Sequence, residues 1–154
     1  MKAVIQRVLN ASVSVDGKVV GSCNEGFMIL LGASKGDTEA EAELLARKIA
    51  NLRVFCDEND KMNLSILDIK GEILAISQFT LLADVKKGNR PSFINALEPI
   101  EAERLYKYFC EQLKLNGISK VSEGIFGADM KVSLINDGPV TIIYDTDIWS
   151  KNGN

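Results

Sequence analysis

The run Phe27 to Gly32, bounded on its other side by Gly26, is the segment that most restricts what this chain can fold into. Its apolar character is continuous rather than alternating, so it predicts a strand buried on both faces, at the centre of a sheet. A central strand needs neighbours and cover. Upstream, Val13, Val15, Val19 and Val20 flank Asp16-Gly17, which predicts two strands joined by a tight hairpin. Downstream, Asp37 or Thr38 caps a helix, with Glu41 three residues beyond Thr38 as in a capping box. Ala42, Leu45, Ile49 and Leu52 recur at helical spacing and should face the sheet.

A polar segment, Asp57 to Asn63, interrupts before Glu72 to Leu82, where Ile73 to Ile76 read as a buried strand running into Ser77-Gln78-Phe79-Thr80-Leu81. Asp84 to Ser92, with Lys86, Lys87, Gly88, Arg90 and Pro91, has the composition of an exposed loop. A second helix follows. Pro99 stands near its first turn, Leu105, Phe109 and Leu113 form its apolar stripe, and Asn116-Gly117 ends it. The remainder predicts strands at Val121 to Ile125, Lys131 to Ile135 and Val140 to Tyr144. Gly127 to Asp129 and Asn136-Asp137-Gly138-Pro139 separate them, and Pro139 should open the last strand.

Strands before and after helices, without strict βαβ alternation, indicate an α+β fold: mainly antiparallel sheet with a barrel-like core and two principal helices. With 154 residues, 46% of them hydrophobic, the chain is expected to form one domain over residues 1–148, with a polar tail, 149–154, that frays. Met1 to Val8 interleaves Lys2, Gln6 and Arg7 with apolar residues, unlike a signal peptide. No run approaches the roughly 20 apolar residues of a membrane span. A soluble, cytoplasmic protein with no membrane partner is therefore expected. Cys23, Cys56 and Cys110 are odd in number and widely spaced, which suits reduced structural thiols better than a disulfide or zinc framework.

The chain has no histidine, which removes the usual general base of a hydrolytic triad and the commonest transition-metal ligand. Any hydrolysis needs another base. A net charge of −3 argues against indiscriminate nucleic-acid binding while leaving room for a local basic patch.

Ser77, Gln78 and Thr80 follow directly on an apolar strand, where hydroxyls, an amide and main-chain N–H groups can face a ligand. Equally, such hydroxyls can simply satisfy the backbone at a strand end. Thr80 makes a poor nucleophile, since no histidine or neighbouring lysine stands ready to activate it. Main-chain donors there are better suited to stabilising an oxyanion. Gly138-Pro139 permits close approach of another molecule and a cis bond, although a trans turn before a strand is the commoner outcome for such a pair. Lys86, Lys87 and Arg90 read either as a solvated loop or as phosphate contacts. Phe126-Gly127-Ala128-Asp129-Met130 offers an aromatic and a thioether around a small turn, suited to core anchoring or to the floor of a base pocket. Arg7, within a strand, should pair with a carboxylate or a carbonyl.

Ser77-Gln78-Phe79-Thr80-Leu81 and Asn136-Asp137-Gly138-Pro139-Val140-Thr141 resemble, in order and separation, the two signature segments of the D-aminoacyl-tRNA deacylase family. The likeness extends to Met1 to Val8, Lys61 to Ser65, Gly88 to Phe93 and Phe126 to Met130. It implies a homodimer that hydrolyses the ester of D-aminoacyl-tRNA without metal or cofactor, gripping the acceptor end. It also implies catalytic roles for Ser77, Gln78, Phe79 and Thr80, partly through the backbone, with help from the 2′-hydroxyl of the terminal adenosine. A cis Gly138-Pro139 pair from the other subunit would reject L-residues and admit glycyl-tRNA. Arg7 would brace that pair, and Phe126, Gly127, Ala128 and Met130 would line the adenosine pocket. A module that binds aminoacyl-tRNA without cleaving it, a relative that edits another mischarged residue and a plain scaffold are the alternatives.

Overall fold

A computed structural model describes residues 1–150. The chain runs β1 (Lys2–Val15), β2 (Lys18–Cys23), β3 (Gly26–Gly32), α1 (Glu39–Ala50), β4 (Phe55–Cys56), β5 (Met62–Leu64), β6 (Glu72–Ser77), α2 (Pro99–Leu115), β7 (Val121–Glu123) and β8 (Lys131–Asp145). Two short 3-10 turns, Phe79–Leu82 and Thr146–Trp149, complete it. The fold is α+β, with two helices and a nearly closed, barrel-like sheet.

β1 is the spine of that sheet. Its first half pairs antiparallel with β3 along one edge, from Lys2 opposite Gly32 to Val8 opposite Gly26. Its second half gives the same edge to β2, from Ala11 opposite Cys23 to Val15 opposite Lys18. Along the other edge it pairs with β8 over nearly its whole length. Asp16 and Gly17 turn the β1–β2 hairpin, both at positive φ, 50° and 80°, as the tight turn predicted from their sequence requires.

β3 sits between β1 and β6 and is buried at all positions except Leu30, which is half-buried. β6 runs parallel to β3, and β7 parallel to β6. Parallel neighbours need long crossovers, and α1 and α2 lie within the two that occur here. This is the one respect in which the sheet is less antiparallel than expected. The helices pack together over one face: Leu45, Ala46 and Ile49 of α1 and Leu105, Phe109 and Leu113 of α2 meet Phe27, Ile29, Ile73 and Ala75 in the main core. A smaller core on the opposite face gathers Val8, Val13, Met28, Leu74 and Ile76.

α1 begins with the expected capping box, Thr38 accepting from Ala40 N and Glu41 returning to the Thr38 N–H at 2.7 Å. Asp37 is occupied elsewhere, accepting from Ser34 N at 2.6 Å. Leu52 falls beyond the helix, which ends at Ala50. The polar segment Asp57 to Asn63 forms a small hairpin between β4 and β5, with Asp57 Oδ1 accepting from the N–H groups of Asn59 and Lys61.

The end of the chain departs most from expectation. Val121 to Ile125 is strand only as far as Glu123. Lys131 to Ile135 and Val140 to Tyr144 are not two strands but one, β8, and Pro139 lies inside it rather than opening it. The register explains how. Gln6 faces Thr141 and Val8 faces Asn136, so Asp137 to Val140 stand opposite the single residue Arg7, with Gly138 and Pro139 extruded and Val140 still buried in the main core. A proline tolerated inside a strand at such a bulge breaks no ladder bond. Trp149 packs edge-on against Tyr144, ring centroids 5.1 Å apart, beneath Lys48. Residues 151–154 of the tail expected to fray lie outside the described residues. Among the described residues no helix is long and apolar enough to cross a membrane.

Candidate active site

β6 delivers Ser77 to the end of the sheet, and the chain then tightens into the turn Phe79–Leu82. Gly32 makes this possible: a Cβ there would lie 2.6 Å from Leu82 Cδ2 and 2.8 Å from the Gln78 carbonyl oxygen. The turn therefore lies directly on the β3 backbone, where Gln78 N donates to Leu31 O at 2.7 Å. Leu82 is buried and pins the far end.

The first two N–H groups of this turn, those of Phe79 and Thr80, have no main-chain acceptor among the described residues. Opening donors of a helical turn are free to meet an external acceptor. The Thr80 hydroxyl accepts from the Gln78 side-chain amide, and among the described residues no base lies in contact with it. The Phe79 ring is 57% exposed and meets Phe93 edge to face, centroids 5.0 Å apart.

Beside the turn opens a cavity of about 260 Å³, lined by Ser77, Gln78 and Phe79 on one side and by Phe126, Gly127, Ala128 and Met130 on another. Residues nearly fifty positions apart in sequence thus share one pocket. Gly127 takes φ +79° in the turn that brings Ala128 N to Ile125 O at 3.1 Å. Gly124 lets Met130 fold in, since a Cβ there would lie 2.6 Å from the Met130 sulfur.

Tyr106 of α2 also lines the cavity and was not foreseen. It is offset by one position from the Leu105, Phe109 and Leu113 stripe, where a polar tip gives no periodic signal. Its hydroxyl donates to Ala75 O at 2.6 Å, and its ring tilts against Phe126 at 6.3 Å. Burial, reinforced by Cys110 and Glu123, pushes its phenol well above the ordinary range, so it stays protonated. Asp129 stands in the lining and pairs with Lys131 at 3.2 Å.

Thr80 lies outside this lining, and Arg7, Gly138 and Pro139 form a separate group on the β1–β8 edge. Gly138 and Pro139 are exposed, and their peptide bond is cis. Arg7 is 9% exposed and three-way anchored: Nε donates to Asp137 O at 3.0 Å, Nη1 to Val54 O at 2.6 Å, and the Asp137 carboxylate stands 3.7 Å away. Gly138 has φ +132°, and a Cβ there would lie 2.8 Å from Val140 Cγ2 and 3.1 Å from Arg7 Nη2. No other residue fits without displacement. Asn136, a second residue not foreseen, closes the neck of the extrusion: its Oδ1 accepts from Val140 N and its Nδ2 donates to Thr141 Oγ1, both at 2.9 Å.

Residues 4–145 match the family model described as D-Tyr-tRNA(Tyr) deacylase. The D-aminoacyl-tRNA deacylase of Aquifex aeolicus (strain VF5) is 59% identical over 146 residues, covering 95% of this chain and 98% of that protein. That of Clostridium botulinum (strain Eklund 17B / Type B) is 56% identical over 152 residues and covers 99% of both. Among solved structures, one described as c-Myc DNA unwinding element binding protein superposes with a TM-score of 0.88 at 48% identity, covering 94% of this chain and 98% of its own. A probable eukaryotic D-amino acid tRNA deacylase superposes at 0.78 with 16% identity, over 93% of this chain and 97% of its own, a likeness of fold.

Proposed function

Since the chain belongs to the D-Tyr-tRNA(Tyr) deacylase family, we propose that it acts as a homodimer that hydrolyses the ester joining a D-amino acid to tRNA, and that it accepts glycyl-tRNA as well. Each of its two active sites combines the Ser77 to Leu81 segment of one subunit with the Gly138-Pro139 pair of the other. The observation that carries this reading is the separation of the two signatures within one chain. Ser77, Gln78 and Phe79 border a cavity, whereas Gly138 and Pro139 are extruded and exposed away from it. A segment thrust outward and held rigid by Arg7 and Asn136 is suited to completing a neighbour's pocket. Leu9 and Ile135, 47% and 51% exposed, supply apolar surface on the same edge.

In this reading Phe126, Gly127, Ala128 and Met130 hold the terminal adenosine, and the amino acid lies between the Phe79–Leu82 turn and the partner's Gly138-Pro139. Main-chain carbonyls of that pair hold the substrate's amino group and leave no room for an L side chain. Glycine has no side chain to exclude and passes. The Phe79 and Thr80 N–H groups then face the developing oxyanion, a role whose loss typically costs about 3 kcal/mol of transition-state stabilisation. The chain has no histidine, and the one carboxylate of the lining, Asp129, is paired with Lys131, so in this reading the neighbouring 2′-hydroxyl of the substrate assists the attack.

Release of tyrosine from matched D-tyrosyl-tRNA and L-tyrosyl-tRNA, with a chelator present, tests the proposal. Selective release of the D-residue is expected. Equal release from both would remove the chiral filter, and release from neither would leave a binding module.

A further inference from the structure

The described structure carries one concentrated positive segment that the pocket does not use. Between Asp84 and Ser92 the chain makes an arm closed at its base by a pair of main-chain hydrogen bonds, Asp84 N to Ser92 O at 2.7 Å and Ser92 N to Asp84 O at 2.9 Å. Lys86, Lys87 and Arg90 project from it, all exposed, with Gly88 at φ +67° turning the tip. The arm holds no acidic residue between its two base positions. Asp84 itself is committed to the base, accepting from Lys86 N at 3.0 Å.

Nowhere else in the chain do three cations fall within five residues, and several of the others are paired. Arg104 pairs with Glu101 and Glu39, Lys107 with Glu103, Lys114 with Glu111, and Lys120 with Glu72. Among the described residues no carboxylate lies within ion-pair reach of Lys86, Lys87 or Arg90. Lys86 borders a groove shared with Asp84, Asp145 and Asp147, which offsets part of its charge. Lys87 and Arg90 are not among the groove's lining residues.

The arm is also fixed relative to the cavity. Its entering strand leaves the Phe79–Leu82 turn, and its leaving strand carries Phe93, whose ring rests against Phe79. The leaving root is thus tied through Phe93 to Phe79, which lines the cavity, while Asp84 at the entering root borders the neighbouring groove. From residue 86 to residue 90 the chain can reach at most about 14 Å, so the cations act on neighbouring phosphates rather than on scattered ones.

We propose that this arm grips the phosphate backbone of the tRNA acceptor stem next to the 3′ end, with Lys87 and Arg90 as the principal contacts and Lys86 as a weaker one. The proposal rests on the deacylase reading of the cavity. An arm of this kind positions the stem by charge without reading its bases, which suits an enzyme that must accept many tRNAs. An overall charge of −3 then confines the attraction to one place and favours release.

The test compares full-length D-tyrosyl-tRNA with a D-tyrosyl-CCA trinucleotide, in the native protein and in the triple variant K86Q/K87Q/R90Q, with circular dichroism melting to verify the fold. The ratio of kcat/KM for tRNA to that for the trinucleotide should fall about tenfold in the variant. The slope of log kcat/KM against log salt for tRNA should become shallower by about two. An unchanged ratio and slope overturn the arm's role while leaving the deacylase intact. An equal fall on both substrates also overturns it, since the arm would then act on the pocket and not on the stem. If the native protein cleaves neither substrate, the deacylase reading fails, and binding of uncharged tRNA by native and variant proteins still decides the arm: equal affinity refutes it.

Discussion

Nε of Arg7 donates to the carbonyl oxygen of Asp137 at 3.0 Å, across the point where β8 sets four residues opposite this one position of β1 and extrudes Gly138 and Pro139. The same guanidinium donates from Nη1 to Val54 O. One buried cation thus ties the sheet spine, the extrusion and the segment leading into β4 together.

Replacing Arg7 by lysine keeps the charge but loses the planar fork that serves two carbonyls at once. Deacylation by Arg7→Lys should fall at least tenfold, while the melting temperature drops by only a few degrees. Arg7→Ala leaves the Val54 carbonyl without its donor and should cost about 2 to 4 kcal/mol of stability. Native activity in the lysine variant would show that the extrusion needs no brace.

Asn136 tests the neck of the same extrusion. Its side chain makes both hydrogen bonds that span the extruded residues, to Val140 N and to Thr141 Oγ1. Two such bonds are worth about 1 to 3 kcal/mol in stability, so Asn136→Ala should remain folded. A positioning role predicts more: the preference for D- over L-tyrosyl-tRNA should shrink, as the Gly138-Pro139 pair loses its fixed orientation. An unchanged preference with lowered stability would reduce Asn136 to a structural residue.

Much of this architecture was legible in the chain because it rests on local rules. The Thr38–Glu41 capping box, the Asp16-Gly17 hairpin, Pro99 at the start of α2 and the continuous apolar run of β3 all appear as read. What escaped depends on partners far away in sequence. Proline and glycine at 138–139 read as a break between strands, because nothing local reveals that Asn136 and Thr141 stay paired with β1 on either side. Tyr106 escaped because its task is set by the carbonyl of Ala75, thirty-one residues back. Phe126 to Met130 carried two readings, and the fold leaves room for both: Phe126 and Met130 pack against the two cores while lining the cavity that Ser77 also borders.

The three thiols should behave differently. Cys56 is exposed, whereas Cys23 and Cys110 are buried, so a thiol reagent at neutral pH should modify one residue per chain until the protein unfolds. Reaction of all three at the native rate would contradict the packing.

Burial, with Glu72 nearby, pushes the Cys23 thiol up from 9.0 to about 11. Burial likewise raises Cys110, with Glu123 adding to it, and the Tyr106 phenol. Each of these groups holds its proton more tightly folded than unfolded. The stability they confer is complete below pH 9 and is lost as pH rises through the folded values. Denaturant unfolding should therefore show falling stability from about pH 9 towards 11, and Cys23→Ala should make that fall shallower.

Thr80 decides between two chemistries. As a nucleophile its hydroxyl would be indispensable, and Thr80→Ala would abolish turnover with the fold intact. The geometry favours the other course: the hydroxyl accepts from Gln78, no base among the described residues touches it, and the unclaimed main-chain N–H groups of Phe79 and Thr80 survive the substitution. Thr80→Ala should then retain activity within about fivefold, since removing one ordinary hydrogen bond is worth about 1 kcal/mol. The same logic extends to pH. With no histidine in the chain, the rate of D-tyrosyl-tRNA cleavage should show no break between pH 6 and 8 of the kind a histidine base produces. A mild variant with a featureless profile points to backbone and substrate as the catalytic groups, whereas an inactive but folded variant assigns the chemistry to the hydroxyl.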